Sequence, residues 1–216
     1  MMTSSNYNDQ VFINCPFDND YLDLYRACIF VVLDSGFLPR CSREENNANR
    51  FRLENIVDII KSCRYGVHDL SRVELDEAHK LPRFNMPFEL GIFYGSKHFG
   101  DAIHKKKSSL ILEKELYRYQ KYISDISGID VTPHNNTPKD LILGVRNWLH
   151  TSSRRTTIPS GDLIYKRFKL FQDEIKKACE KRDVDYDSMS FIDIVHNMTD
   201  WLRKNRTTHQ PLFDTL

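Results

Sequence analysis

The sequence predicts an α/β fold in which a parallel sheet carries helices on both faces, followed by a small helical extension at the C-terminus. Short apolar runs suited to strands alternate with segments whose apolar residues recur at helical spacing, the order typical of parallel α/β proteins. A chain of 216 residues with 40% hydrophobic content can bury one substantial core. These observations favour one α/β domain over residues 10–150 and a helical extension over residues 159–206.

The first half of the chain predicts three strands and three helices. Pro16 closes the first strand, and Gly36 is a suitable C-cap for the first helix. Asn85 is a suitable N-cap for the third helix, and Pro87 follows in the first turn, where its missing N–H costs nothing. The strands are predicted over residues 11–16, 37–41 and 64–70, and the helices over residues 20–35, 53–63 and 85–95.

The second half predicts two further strands and a series of helices. Thr137 is a suitable N-cap with Pro138 directly after it, and residues 151–161, rich in Ser, Thr and Arg, are the best linker candidate. The two helices after this linker are too few to fold alone, so we expect them to pack on the α/β core or on another subunit. Strands are predicted over residues 108–112 and 128–133, a helical stretch over 116–126, and helices over 137–150, 162–182 and 190–205.

Glu89 is the single carboxylate in the otherwise apolar or glycine-containing run from residue 85 to residue 95. At this position the helix dipole lowers the pKa of a carboxyl group, whereas apolar burial raises it. Two interpretations follow: Glu89 either faces solvent and merely favours the dipole, or it takes part in chemistry. Gly91 and Gly95 lie four residues apart on one face, where another backbone or a ligand can approach closely.

Polar side chains follow two of the predicted strands at their carboxyl ends. Asn14 to Asp18 follow the first strand, and Asp69 ends the third. In an open parallel sheet, ligands bind at the carboxyl ends of strands, beside the point where the strand order reverses. We therefore expect Asn14 to Asp18, Asp69 and Glu89 to converge on one site.

The order of these features resembles that of the TIR domain and of its relative, nucleoside 2-deoxyribosyltransferase. The resemblance consists of a strand with a polar end over residues 12–17, a strand ending in Asp69, and a helix opening with Phe88-Glu89-Leu90-Gly91. It covers about residues 10–115 as a pattern. The segment from Asn14 to Asp18 departs from the usual first-strand ending of TIR domains. The resemblance therefore implies the fold more strongly than it implies the identity of the substrate.

The resemblance implies a flavodoxin-like three-layer sheet and a set of functional residues. In both families a glutamate on the helix after the third strand is catalytic, which implies that role for Glu89, with Asp69 holding the sugar or nucleobase. Phe17 would stack on a base, and Arg40 would either meet a nucleotide phosphate or form a surface ion pair. The implied substrate-binding residues are Asn14, Cys15, Phe17, Asp18, Arg40 and Ser71.

The function that the resemblance implies is cleavage of the N-glycosidic bond of NAD, which is then a substrate and not a cofactor. Loss of nicotinamide leaves an oxocarbenium-like ribosyl centre, which an ionised glutamate can stabilise, orient or attack. Two alternatives stay open: a non-catalytic TIR-like nucleotide sensor or self-assembling adaptor, and a nucleoside deoxyribosyltransferase or hydrolase. Catalytic TIR-type bacterial proteins often act in antiviral defence, and the resemblance alone implies that context.

The polar segment 42–52 corresponds in position to the loop through which TIR domains assemble. It carries charges of both signs, which predicts a homo-oligomer held by salt-sensitive contacts between copies. The alternative is a solvated connection with no role. The proposed assembly residues are Arg43, Glu44, Glu45 and Arg50.

Composition argues against several other classes of protein. A net charge of +1 provides no concentrated basic surface for nucleic acid, and no apolar run approaches the roughly 20 residues of a membrane span. Five cysteines without a C-x-x-C pair, together with a polar N-terminus, predict reduced thiols in a cytoplasmic protein. Eight histidines show no metal-ligand spacing, so no metal site is expected. Cys15 has no evident histidine partner, and His68 alternates with Asp69, which predicts a core histidine.

Overall fold

Five parallel strands form one sheet in the order β2-β1-β3-β4-β5. The computed structural model describes residues 7–44, 51–72 and 84–206. The flavodoxin-like α/β class predicted from the sequence is confirmed, because both the strand direction and the strand order agree with it. The strands are β1 (Gln10–Asn14), β2 (Leu38–Arg40), β3 (Tyr65–Asp69), β4 (Ser108–Glu113) and β5 (Val131–Pro133).

Helices cover both faces of the sheet, and none of them, within the described ranges, is long and apolar enough to cross a membrane. The α-helices are α1 (Leu22–Asp34), α2 (Arg52–Ser62), α3 (Asn85–Phe99), α4 (Pro138–Ser153), α5 (Gly161–Arg182) and α6 (Phe191–Asn205). Short 3-10 turns cover Tyr7–Asp9, Asn19–Tyr21, His104–Lys106, Arg118–Lys121, Ser124–Ile126 and Tyr186–Ser188.

Alternation along the strands divides the core into layers. Val11 and Ile13 of β1 pack in the cluster that includes α1 and α4, whereas Phe12 packs on the opposite face with α2 and α3. Every residue of β1 and β3 is buried, as expected for central strands covered on both faces.

The two C-terminal helices pack on α1, outside the layer that α1 and α4 form. The ring of Phe30 on α1 lies 5.5 Å from that of Phe168, 5.7 Å from that of Phe171 and 6.0 Å from that of Trp201, measured between centroids. The connection from α4 is also fixed, since Arg155 donates to the carbonyl of Gly36 at 2.6 Å. These contacts pack the helical pair on the α/β core of its own chain.

Two predicted elements differ from the structure. Helix α3 begins at Asn85 itself, with Phe84 at the N-cap and no side-chain cap, and it continues to Phe99 because Gly95 weakens a helix without ending it. The predicted helical stretch 116–126 is wrong as a continuous helix. Tyr117 adopts a left-handed conformation with φ of 64°, which confines this segment to two short 3-10 turns.

Candidate functional site

Four polar residues meet at the carboxyl edge of the sheet. Asn14 ends β1, Asp69 ends β3, Glu113 ends β4, and His134 directly follows β5. The register pairs Asn14 with His68 and Asp69 with Leu112, so these strand ends lie side by side. Four strands therefore bring polar residues to this edge, two more than the sequence analysis named, and Asn14 faces α3 whereas Asp69 faces the start of α1.

Asn14 fixes the start of α3 to the end of β1. Its side-chain amide donates to the carbonyl of Met86 at 2.9 Å and lies 3.1 Å from Nδ1 of His68. Because the residue is 3% exposed, this amide serves the fold and is not offered to a ligand, contrary to its predicted binding role. Asn14 thereby positions the first turn of the helix that carries Glu89.

Glu89 lies in the second turn of α3 and is only 7% exposed. Burial raises the pKa of its carboxyl group to about 7, and the nearby Arg52 only partly offsets this effect. Within the described ranges, no protein group donates a hydrogen bond to the Glu89 carboxylate. The interpretation of Glu89 as a solvent-facing residue is therefore wrong, since burial outweighs the helix dipole.

The buried carboxyl group of Glu89 predicts a pH-dependent stability. Its pKa of about 7 exceeds the ordinary value of 4.5, so between these pH values the folded chain holds a proton that the unfolded chain releases. The free energy of unfolding should then fall as the pH rises through this window, by up to about 3 kcal/mol from this group. Glu89→Gln should remove that fall, as measured by urea denaturation at a series of pH values.

The matched control is Glu54→Gln, which changes an exposed carboxylate in the first turn of α2. This variant should keep the pH dependence of the wild-type protein. An identical pH dependence in Glu89→Gln and the wild type would contradict the buried state of Glu89.

Asp69 is wholly buried and is surrounded by donors from the protein. It accepts hydrogen bonds from the hydroxyl of Tyr21 and, at 2.8 Å, from the backbone N–H of Ser71. Nε2 of His134 lies 3.2 Å from its Oδ2. The backbone N–H of Asn136 donates to Nδ1 of His134 at 3.1 Å, so a neutral His134 carries its proton on Nε2, facing Asp69.

These donors decide the ionisation of Asp69. Burial by itself would raise its pKa, but the polar contact and charge attraction of His134, together with the hydrogen bonds from Ser71 and Tyr21, outweigh burial, and the pKa is lowered. The carboxylate is therefore ionised and faces protein partners. Its predicted contact with a sugar or base is not part of this arrangement, which instead joins β3 to the start of α1 and the end of β5.

Asp69→Asn is expected to destabilise the fold by at least about 2 kcal/mol, because it replaces an acceptor of several buried hydrogen bonds. Thermal or urea unfolding measures this effect. Asp20→Asn, at a site on the same edge whose side chain is 86% exposed, should leave the free energy of unfolding nearly unchanged. Unchanged stability with lost turnover in Asp69→Asn would instead indicate a direct role for Asp69 in the reaction.

The sequence analysis missed a second buried cluster beside Asp69. Glu113 is 0% exposed and accepts hydrogen bonds from Arg118 at 2.9 and 3.1 Å and from the hydroxyl of Tyr122. Arg118 also donates to the carbonyl of Ser71, and the hydroxyl oxygen of Tyr122 lies 3.0 Å from the carbonyl of Leu70, so Leu70 and Glu113 share its single proton. The cluster holds the chain just after β3. The sequence did contain a signal for this cluster. Glu113, like Asp69, is a polar residue at the end of an apolar strand.

Cys15 and His68 lie inside the fold. Burial, followed by the nearby Cys28 and Asp69, raises the pKa of the Cys15 thiol well above its usual value, which disfavours a nucleophilic thiolate. Glu89 contributes to the same effect, so it lies near Cys15. Burial lowers the pKa of His68 to about 3, which keeps it neutral and agrees with the predicted core histidine.

The predicted binding residues Phe17 and Asp18 already have protein partners. The ring of Phe17 packs edge-on against Tyr25 at 5.3 Å, and the guanidinium of Arg43 lies 4.6 Å from its centroid. Asp18 lies 3.2 Å from Arg72 and joins the loops after β1 and β3. A base that stacks on the Arg43 side of Phe17 would have to displace Arg43.

Arg40 forms an ion pair within its own chain, as the alternative to phosphate binding predicted. Its Nε donates to Glu44 at 2.7 Å, and a second nitrogen contacts the other carboxylate oxygen. Glu44 is thus occupied within the chain, which weakens its predicted pairing with Arg43 of another copy. Glu45 and Arg50, the other two predicted assembly residues, lie outside the described residues.

Residues 7–44, 51–72 and 84–206 contain no group of three or more His, Cys, Asp or Glu side chains placed to hold a metal ion. Comparison with known proteins found no matching family model, no similar curated protein and no similar solved structure. The sheet order alone supports many activities, because folds of this kind are shared by unrelated functions. The functional argument therefore depends on the residues at the carboxyl edge.

Proposed function

We propose that the protein cleaves the N-glycosidic bond of NAD or a related nucleotide, with Glu89 as the principal catalytic residue. The observation that carries the proposal is the state of Glu89, which is buried beside the strand ends and has no hydrogen-bond donor among the described residues. Buried carboxylates usually have protein partners, so one that lacks them is a candidate for contact with a ligand. The resemblance of the Phe88 to Gly91 segment to TIR domains supports the same assignment.

The chemistry of NAD suits a single acting carboxylate. When the bond from C1′ to the pyridinium nitrogen breaks, both electrons go to the ring, so nicotinamide leaves as a neutral molecule and needs no proton. The positive charge that develops on the ribose is stabilised by an ionised Glu89 more strongly than in water, because the site is poorly solvated. Water then adds to C1′ and releases one proton.

The surroundings of Glu89 support this role by limiting its movement. The hydrogen bond from Asn14 to the carbonyl of Met86 fixes the turn of α3 that precedes Glu89. The Asp69 and Glu113 networks fix the chain between β3 and α3 at Leu70 and Ser71. A carboxylate held in one place needs little reorganisation when charge develops on the substrate.

The experiment that tests the proposal is incubation of the purified protein with NAD, NADP and a panel of nucleosides, followed by chromatography of the released bases. Release of nicotinamide from either dinucleotide supports the proposal. Release of bases from nucleosides alone would favour the nucleoside deoxyribosyltransferase or hydrolase, and binding without turnover would favour the nucleotide sensor. A role in antiviral defence follows from the resemblance alone and would be examined only after turnover of NAD is established.

A further inference from the structure

One side of α3 exposes three phenylalanine side chains to solvent. Phe84 is 66% exposed, Phe88 is 56% exposed and Phe99 is 93% exposed. Gly91 and Gly95 lie between them at the same helical spacing of three or four residues, so all five share one side of the helix. We refer to Phe84, Phe88, Gly91, Gly95 and Phe99 as the α3 face, and none of these side chains carries a charge.

The two glycines of the α3 face are not required by packing among the residues that the structure describes. A Cβ atom built on Gly91 or Gly95 would meet no described atom within 4 Å. On Gly144 of α4, in contrast, a Cβ atom would come within 2.6 Å of Thr132. Because glycine weakens a helix relative to alanine, the residues at positions 91 and 95 disfavour α3 without a packing gain against residues 7–44, 51–72 or 84–206.

The α3 face is separate from the candidate catalytic carboxylate. Gly91 follows Glu89 by two residues, which places it about 200° further around the helix. Glu89 is buried toward the core, whereas Gly91 is exposed. A ligand that contacts Glu89 does not explain the glycines, and no described part of the chain approaches them closely.

We infer that the α3 face binds the α3 face of a second copy of this chain, with the two helices antiparallel. A neutral, apolar face can pair with itself without like-charge repulsion, and a twofold pair places the same residues on both sides. In an antiparallel pair centred near residue 93, Gly91 of one copy opposes Gly95 of the other. Phe88 then lies near Phe99 of the other copy on each side of the glycine contact, where the two backbones approach closely.

The exposed area suits a modest dimer. With roughly 200 Å² for each phenylalanine, the three rings of the α3 face expose on the order of 400 Å² per copy. This is about the size of the largest apolar patch on a typical soluble monomer, a patch that is often functional. Two such patches bury about 800 Å², below the standard size for stable complexes, so the dimer should be weak and should form only as the concentration rises.

Sedimentation velocity of the full chain over the micromolar range tests the inference. The wild type should shift from monomer to dimer as its concentration rises. The double variant Gly91→Ala/Gly95→Ala should have a higher melting temperature, because alanine favours the helix and the space is open, yet its dissociation constant should rise at least about tenfold. Phe84→Ser/Phe99→Ser should weaken the dimer similarly.

The control is Leu170→Ser, which changes a side chain of α5 that is 47% exposed and lies outside the α3 face. It should leave the dissociation constant unchanged. A wild type that stays monomeric, or a dimer that both double variants leave intact, would overturn the inference. So would a lower melting temperature of the glycine variant, which would mean that the glycines serve the monomer. No activity is measured, so the result is independent of the role of Glu89.

Discussion

Replacement of Glu89 by glutamine is expected to abolish glycosidic cleavage while the fold stays intact. Glutamine keeps the size of the side chain and its hydrogen-bonding capacity but removes the charge that stabilises the ribosyl centre. Loss of a principal electrostatic group costs at least about 10²-fold in turnover. Nicotinamide released from NAD, quantified by chromatography at saturating substrate, measures the effect.

The pH profile of NAD turnover by the wild-type protein provides an independent measurement of the same group. Because burial raises the pKa of Glu89 to about 7, the ionised form is only partly populated at neutral pH, and turnover of NAD should rise as the pH passes through this value. Glu54→Gln should retain both the rate and the profile. Near-normal turnover by Glu89→Gln, with a substrate that the wild type cleaves, would remove Glu89 from the mechanism.

Unfolding does not explain the expected loss of activity in Glu89→Gln. Burying an ionised carboxylate without donors destabilises the folded chain, so a neutral amide at position 89 should be at least as stable above pH 7. Unchanged far-UV circular dichroism together with an equal or higher melting temperature would show that the variant lacks only the charge.

The strands and helices of the sheet were predictable because they depend on short-range patterns, whereas the strand order was implied by the resemblance to TIR domains. Apolar strands alternating with amphipathic helices, and polar residues such as Asn14 and Asp69 at strand ends, are visible within a few residues of sequence. The same rule applied to β4 and β5 would have identified Glu113 and His134, which directly follow their apolar runs.

The partners of these residues were not predictable in the same way. Asp69 accepts from Tyr21 and lies against His134, which are 48 and 65 positions away in the chain, so the register of four strands decides the contact. The side-chain amide of Asn14 could hydrogen-bond to a ligand or to a backbone carbonyl. Only the packing of α3 against the sheet places the carbonyl of Met86 within its reach.

The pattern of charges on a loop also does not determine which residues those charges pair with. Glu44 suited a contact between copies as well as a contact within the chain, and the position of Arg40 at the end of β2 determines that it pairs internally. Tyr117 illustrates the same limit for secondary structure. Its neighbours favour a helix, but the left-handed turn that directs Arg118 toward Glu113 interrupts the helix.

Ending the chain at Ser153 is expected to give a protein that aggregates or unfolds at a much lower temperature. Phe168 is fully buried and Phe171 is 2% exposed, and full burial of such a side chain stabilises a fold by about 1.5–3 kcal/mol. Together with Trp201, which packs on Phe30, these side chains account for several kcal/mol, a large part of the roughly 5–15 kcal/mol that stabilises a domain. Differential scanning calorimetry and light scattering measure the effect.

The truncation also removes both charged partners of a carboxylate on α1. Asp34 at the end of α1 is wholly buried, with Nη1 of Arg167 at 3.2 Å and Nε of Arg206 at 2.9 Å from its Oδ1. Arg167→Met in the full-length chain removes one of these partners and should destabilise the fold by about 3 kcal/mol, because the carboxylate then loses a buried counter-charge. Lys177→Met, at an exposed position of α5, controls for the loss of positive charge and should leave the free energy of unfolding nearly unchanged.

A truncated chain that stays monomeric and as stable as the full-length protein would mean that α5 and α6 only cover α1, and that α1 does not depend on them.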